Sequence, residues 1–362
     1  MKIKSEVEYK VNNTILGKQL IVGIRKKNSF IKFDKSHIDS TISLIDKLKE
    51  NEIEESMELL TPVQKQIIDG FEKIGYLDNG VEVKESFNEF NKIGKKIIEI
   101  SPKNFQKLKF NSYTKFFIFF TMLTTLCLLG VALNKQHIPK TIDYINMSIP
   151  EIIFSITCFP VLILGLHEIG HYIMAQFMGI KVTKMTFGWF VIYPIVLVQY
   201  EGMHFYSLKR KLTVIIGGIY GNFLWGTIGL VIKAMMPNQQ NILLDLWITS
   251  HFACILTNLN LWGMTDGYFL VTSITGIMNL RFKGYKFLNN LLCNKKQHMD
   301  KQHAICGVML LALFILGFIN ISFQIVYVFT LFSINKIIMI GFIILSISFL
   351  SIKFILRIIK AF

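Results

Sequence analysis

Beyond about residue 113 the apolar residues stop alternating with polar ones and run in long blocks. Crossing a bilayer takes about 20 apolar residues per helix, and six blocks meet that length, at roughly 113–133, 150–178, 212–236, 242–264, 304–332 and 336–358. A seventh, shorter block, Thr186–Tyr200, is interrupted by Gly188 and Pro194 and carries Phe187, Phe190, Val191, Ile192, Val196 and Val198. That pattern predicts a membrane-dipping β-hairpin rather than a helix. Such backbone is tolerated at membrane depth only where protein covers it or water reaches it.

The residues before these blocks follow soluble periodicities. Leu20, Val22, Ile24, Phe30, Ile31 and Phe33 suggest a hairpin over Lys18–Phe33, turning at Lys27-Asn28-Ser29. Ile38, Ile42, Ile45 and Leu48 recur at helical spacing. Thr61-Pro62 reads as a cap and first helical residue, with Ile67, Ile68, Phe71 and Ile74 facing inward and Gly75 ending the helix. A strand-like pair is expected over Tyr76–Val83. The pattern predicts two domains: a winged-helix-like α+β cytosolic domain over 1–110, and an α-helical polytopic membrane domain over 111–362. The last two helices of the membrane domain lie within 304–358.

Composition agrees with that division. The chain has 362 residues, 52% of them hydrophobic, with 31 Phe and a mean hydropathy of +0.47, too apolar for an ordinary soluble domain. Residues 1–112 carry 20 Lys+Arg and 17 Asp+Glu; the remainder carries 19 and 7. The basic excess lies in short loops beside apolar blocks, where it sets topology and faces anionic lipid, so nucleic acid is not an expected partner. The distribution predicts a multi-pass bacterial membrane protein with both termini cytoplasmic. Lys209-Arg210-Lys211 reads as a topology anchor at a helix start. Met1 to Asn13 is polar and charged and predicts no cleavable signal peptide. Cys127, Cys158, Cys254, Cys293 and Cys306 form no CxxC pair and read as packing residues.

Against this apolar background one hexapeptide stands out, Leu166-His167-Glu168-Ile169-Gly170-His171. Histidines four apart on a helix share a face one turn apart, so both imidazoles can reach one Zn²⁺. Glu168 stands beside them as candidate general base for the attacking water. Polar groups inside an apolar segment cost several kcal/mol unless they pair or bind metal. Catalytic zinc wants a third protein ligand and an open position. The other acidic residues of the membrane domain are Asp143, Glu151, Glu201, Asp245, Asp266 and Asp300. The helices carrying the histidines and preceding Asp266 both run toward the cytoplasmic side, so Asp266 is the foremost third ligand, with Glu201 and His204 the alternatives. His37, His137, His251, His298 and His303 lack ligand spacing and read as structural or surface residues. Gly217, Gly218 and Gly221 let helices approach closely. Asn222 and Asn258 are amides in apolar helices, suited to joining helices.

His167-Glu168-Ile169-Gly170-His171-Tyr172, followed by Gly179-Ile180-Lys181-Val182 and Phe187-Gly188, resembles the site-2 protease family of intramembrane zinc metalloproteases. Asn258-Leu259-Asn260 with Asp266-Gly267-Tyr268 is similar to the second motif of that family, and the combination looks closest to the bacterial peptide zinc metalloprotease branch found beside ribosomally made peptide clusters. The resemblance covers about 150–275. It implies Zn²⁺ held by His167, His171 and Asp266, with Glu168 catalytic and Asn222 holding substrate or the oxyanion. It also implies a reentrant sheet at Thr186–Tyr200 whose exposed edge takes up substrate as an added strand. The chain departs from the family pattern at Leu261, where a proline is usual, at Thr265, and in Gly217–Asn222, again without proline.

The expected function is therefore cleavage of a membrane-associated peptide or precursor, such as a bacteriocin-like or signalling peptide, with a peptide exporter as candidate partner. The head resembles leader-peptide recognition elements in architecture and context; a general packing or regulatory domain is the other reading. A regulatory protease releasing a membrane-tethered transcription regulator or anti-sigma factor is the alternative function. A non-enzymatic immunity or transport protein is the second.

Overall fold

The computed structural model describes residues 2–50, 60–83, 95–100, 113–139, 147–190, 193–236, 241–259, 265–277, 279–293, 301–331 and 335–360. Among the described residues the chain is mostly helical, with two three-stranded sheets, and it divides into two units.

The first unit comprises Met1–Lys109, Tyr172–Val214 and Ser273–Gly276. Its first sheet is an antiparallel meander of β1 (Glu8–Thr14), β2 (Gly17–Ile24) and β3 (Ser29–Asp34), with β2 central. The expected hairpin is β2–β3, joined through a 3-10 turn at Arg25–Lys27 and Asn28 at φ 50, a left-handed position that asparagine tolerates. Strand β1 is an addition to the expected architecture. Only Asn12 of its residues is buried, so it carries no apolar alternation to betray it. Against the sheet lie α1 (Ile38–Glu50) and α2 (Pro62–Ile74), which share a core of Leu20, Val22, Leu44, Ile45, Leu48, Ile68 and Phe71. Thr61 and Gln64 form a reciprocal capping box, and Gly75 ends α2 at φ 82.

The strand pair expected over Tyr76–Val83 does not form. Leu77 makes one isolated bridge with Ile3, and the chain then bends through Asp78-Asn79-Gly80. Tyr76, Leu77 and Val83 are instead buried as separate anchors, the Tyr76 hydroxyl lying 3.0 Å from Ser29 Oγ. Burial raises the Tyr76 pKa, against the lowering effect of the Ser29 hydrogen bond.

The second sheet has the order β4 (Lys95–Ile100), β5 (Val182–Phe190), β6 (Tyr193–Tyr200), all antiparallel. The hairpin expected at Thr186–Tyr200 is present as β5–β6, starting four residues earlier. The β5 side of the hairpin pairs with the chain's own β4; among the described residues β4 and β6 are the edges of this sheet. Further links within the unit join the head to the loop after β6. Gly202 N–H donates to Asn28 Oδ1 at 2.6 Å and Asn12 Nδ2 donates to the His204 carbonyl at 3.0 Å. The His204 ring lies 3.9 Å, centroid to centroid, from Phe30.

Burial, with help from Lys32 and Lys211, pushes the His204 pKa from its ordinary 6.5 down to about 3. Between these values the unfolded chain binds a proton that the folded unit refuses. Stability from this group is therefore complete above pH 6.5 and declines as pH falls toward 3. Lowering pH from about 7.5 to about 5 should depress the thermal midpoint of the detergent-solubilised protein more in the wild type than in His204→Phe. Equal pH slopes would contradict the assignment.

The second unit comprises Phe110–His171, Ile215–Thr272 and Ile277–Phe362. Its helices are α3 (Tyr113–Leu133), α4 (Ile149–Ile156), α5 (Cys158–Phe177), α6 (Leu208–Met235), α7 (Ile242–Asn258), α8 (Asp266–Thr275), α9 (Leu280–Leu292), α10 (Lys301–Leu331) and α11 (Lys336–Ile359); α5 and α6 also contribute residues to the first unit. Among the described residues, four stretches are long and apolar enough to cross a membrane: Ile149–Phe177, Leu208–Met235, His303–Phe323 and Lys336–Ile359. The other two expected spans contain shorter apolar helices, Phe117–Leu133 and Ile242–Asn258. Hydroxyls in α3 are satisfied inside the helix, Thr121, Thr124 and Thr125 each donating to the carbonyl four residues back at 2.7–2.9 Å. The basic loop expected after residue 280 contains α9, whose Tyr285 and Leu288 pack with Leu310, Phe354 and Ile358.

Candidate metal centre

The centre is built where α5 meets α6 at very short range. Gly170 on α5 touches the backbone of Gly217, and a Cβ there would overlap the Gly217 carbonyl. A Cβ on Gly221 would meet the Gly170 Cα and the Leu166 carbonyl at 3.4 Å. Small residues on both helices thus bring one backbone against the other, and the four-residue spacing of His167 and His171 turns both rings toward α6. Both histidines are buried, 3% and 6% exposed.

Gly218 lies directly under the two rings. Its amide nitrogen is 3.2 Å from His171 Nδ1, and a Cβ built on it would overlap the Nε2 atoms of both histidines. Only hydrogen at this position leaves the space in front of the rings open.

Asp266 enters from a different part of the chain. Helix α7 ends at Asn258 and a new helix, α8, begins with Asp266, so the carboxylate sits at a helix N-terminus, where negative charge is favoured. Its Oδ2 is 3.2 Å from His167 Nε2 and its Oδ1 is 3.2 Å from His171 Nε2. The two Nε2 atoms are themselves 3.2 Å apart. Three electron-rich groups therefore converge on one point. Apart from the contact with His167 Nε2, the buried Oδ2 of Asp266 has no hydrogen-bond partner among the described residues. Glu168 completes the cluster: one donor atom from each of His167, Glu168 and His171 lies within 4.8 Å of the others. This buried His–Glu–His group can hold a metal ion.

Asn222, one turn beyond Gly218 on α6, is fully buried. Its Nδ2 is 2.8 Å from His167 Nδ1, and its Oδ1 is 2.9 Å from His251 Nδ1 on α7. The family resemblance implies contact of Asn222 with substrate or the oxyanion, and the sequence gives His251 no ligand spacing. The structure connects both to a metal-site histidine. His251 is 0% exposed, rests on Trp247 with ring centroids 4.6 Å apart, and has an Nε2 without a hydrogen-bond partner among the described residues.

The alternative third ligands are placed otherwise. Glu201 pairs with Lys181 at 2.6 Å, and His204 stacks on Phe30. Asn258 donates to the Cys254 carbonyl at 3.0 Å. Leu261, at the usual proline position, lies outside the described residues, as do Asp143 and Asp300. The cysteines are all free thiols. No protein-family model matches the chain, and no curated protein or solved structure is significantly similar to it.

Proposed function

We propose that the chain is an intramembrane zinc metalloprotease that cleaves a membrane-associated peptide or precursor. The observation that carries the reading is the triangle of His167 Nε2, His171 Nε2 and an Asp266 oxygen, with 3.2 Å contacts. A tetrahedral zinc with bonds of about 2.0–2.1 Å has ligand-to-ligand edges of about 3.3 Å. Two imidazoles and one carboxylate leave the fourth position open, the composition of a catalytic rather than a structural site. The space that Gly218 leaves, and an Asp266 Oδ2 whose only near polar neighbour among the described residues is His167 Nε2, fit an ion held at this point.

Zinc bound there supplies Lewis-acid polarisation of the scissile carbonyl and a lowered pKa for water. The chain's own contribution is positional. His167, His171 and Asp266 fix the ion at the junction of α5, α6 and α8. The Glu168 carboxylate takes a proton from the attacking water and delivers it to the leaving amine. Gly218 keeps the space before the rings clear of side chain.

Support for a membrane setting comes from apolar surface. Ile337, Ile344, Leu345 and Phe349 on α11, and Phe117, Leu126 and Leu128 on α3, are all more than half exposed, a liability in water and the expected face toward lipid. The loop charges then favour six spans with both termini cytoplasmic. For the head, a three-stranded meander followed by two helices suits a winged-helix-like peptide-recognition domain, with an edge strand of the meander, β1 or β3, available for a leader peptide docking as an extra strand.

Metal analysis of the purified protein tests the reading. One equivalent of zinc per chain is expected, and Asp266→Ala should reduce it by more than about tenfold, as loss of a direct ligand costs at least what an outer partner does. Undiminished zinc in that variant would remove Asp266 from the site.

A further inference from the structure

We infer that His251 is a positioning residue for the metal centre, acting through the Asn222 amide to set the tautomer of His167. This rests on the reading that His167 binds zinc through Nε2.

For His167 to give its Nε2 lone pair to a metal it must carry its proton on Nδ1, and that proton needs an acceptor; at His171 the Gly218 N–H donates to Nδ1 at 3.2 Å, a contact that must give way for Nε2 to bind. The atom facing His167 Nδ1 at 2.8 Å belongs to the side-chain amide of Asn222. The two ends of an amide are interchangeable in shape, so its hydrogen-bond partners decide which end points where. As the amide ends are placed, Nδ2 faces His167; in that orientation it would donate to Nδ1, leave the ring proton on Nε2, and block coordination. The metal-competent arrangement turns Oδ1 toward His167, where it accepts from Nδ1–H. Nδ2 then faces His251 Nδ1, 2.9 Å from the amide, and must find a lone pair there.

His251 provides it when its own proton is on Nε2. Buried beside Trp247, the neutral ring has one acceptor to offer, and the Asn222 amide is the group it meets. One chain of choices follows: acceptor at His251 Nδ1, donor at Asn222 Nδ2, acceptor at Asn222 Oδ1, donor at His167 Nδ1, lone pair at His167 Nε2. Each hydrogen bond permits only one partner orientation. Asn222, itself fully buried, has no water to release it from this choice.

Zinc affinity of the purified full chain, measured by competition with a chromophoric chelator, tests the inference without reference to substrate. Outer partners of metal-bound histidines are worth about 10- to 100-fold in affinity. His251→Phe keeps the aromatic packing and removes the acceptor, so affinity should fall by about that factor. His251→Asn puts an amide oxygen where Nδ1 stands and should restore affinity to within a few-fold of wild type. His251→Gln, reaching to the Nε2 position instead, should not. The Asn and Gln variants decide the matter even if the Phe variant misfolds. Equal zinc affinity in His251→Asn and His251→Gln would overturn the inference. Absence of zinc from the wild type would instead overturn the metal reading beneath it.

Discussion

Glu168→Gln should abolish peptide cleavage while leaving the metal in place. The substitution keeps the shape of the side chain and removes only its capacity to take and return a proton. A positioned general base contributes about 10²–10⁴-fold to rate, and here one group serves both the attacking water and the leaving amine, so a loss of about 10³-fold or more is expected. Metal content should stay at the wild-type level, since the ligand triangle is drawn from His167, His171 and Asp266. Mass-spectrometric comparison of membrane peptides from cells carrying either form checks the loss; metal analysis of the same preparations checks retention. Unchanged processing by the variant would leave a metal site without protease chemistry and favour an immunity or transport role.

Gly218→Ala should expel the metal from a protein that is otherwise no less stable. In an ordinary helix interior, alanine in place of glycine is favourable by about 1 kcal/mol. At position 218 the added methyl would overlap both Nε2 atoms, and the rings can yield only by leaving the positions that hold the ion. Overpacking of this kind costs about 1–3 kcal/mol, which converts to about 5- to 150-fold in zinc affinity. The discriminating result is the combination of weakened zinc binding with an undiminished thermal midpoint for the metal-free protein. Equal zinc affinity would show that the space over Gly218 is not where the metal sits.

Much of the candidate site was legible in the chain because its first two ligands lie on one helix. The spacing of His167 and His171 fixes their relative direction before any tertiary contact is known. Asp266 was accessible by a coarser route, since helix polarity and loop charge bring few acidic residues to one side. The link from His167 through Asn222 to His251 was not legible. It depends on how α6 packs against α7, and neither residue has a local pattern to mark it.

The fold divides along the same line. Helices with strong local signals, such as α2 with its Thr61–Gln64 box and Gly75 end, stand where the pattern put them. Strand β4 was invisible because its partner β5 is distant in sequence, and β1 because a polar edge strand has no alternation. Tyr76–Val83 misled for the opposite reason. Its buried residues imitate a strand pattern while serving as single anchors around a bend at Gly80, whose φ is 80.

X-ray absorption at the zinc edge, on the detergent-purified wild type, reads the coordination shell itself. Two imidazole nitrogens and one carboxylate oxygen at about 2.0–2.2 Å are the predicted ligands, with a single imidazole pair remaining in Asp266→Ala if any zinc is retained. Sulfur at about 2.3 Å, or a zinc shell that the Asp266 change leaves untouched, would contradict the His–His–Asp centre.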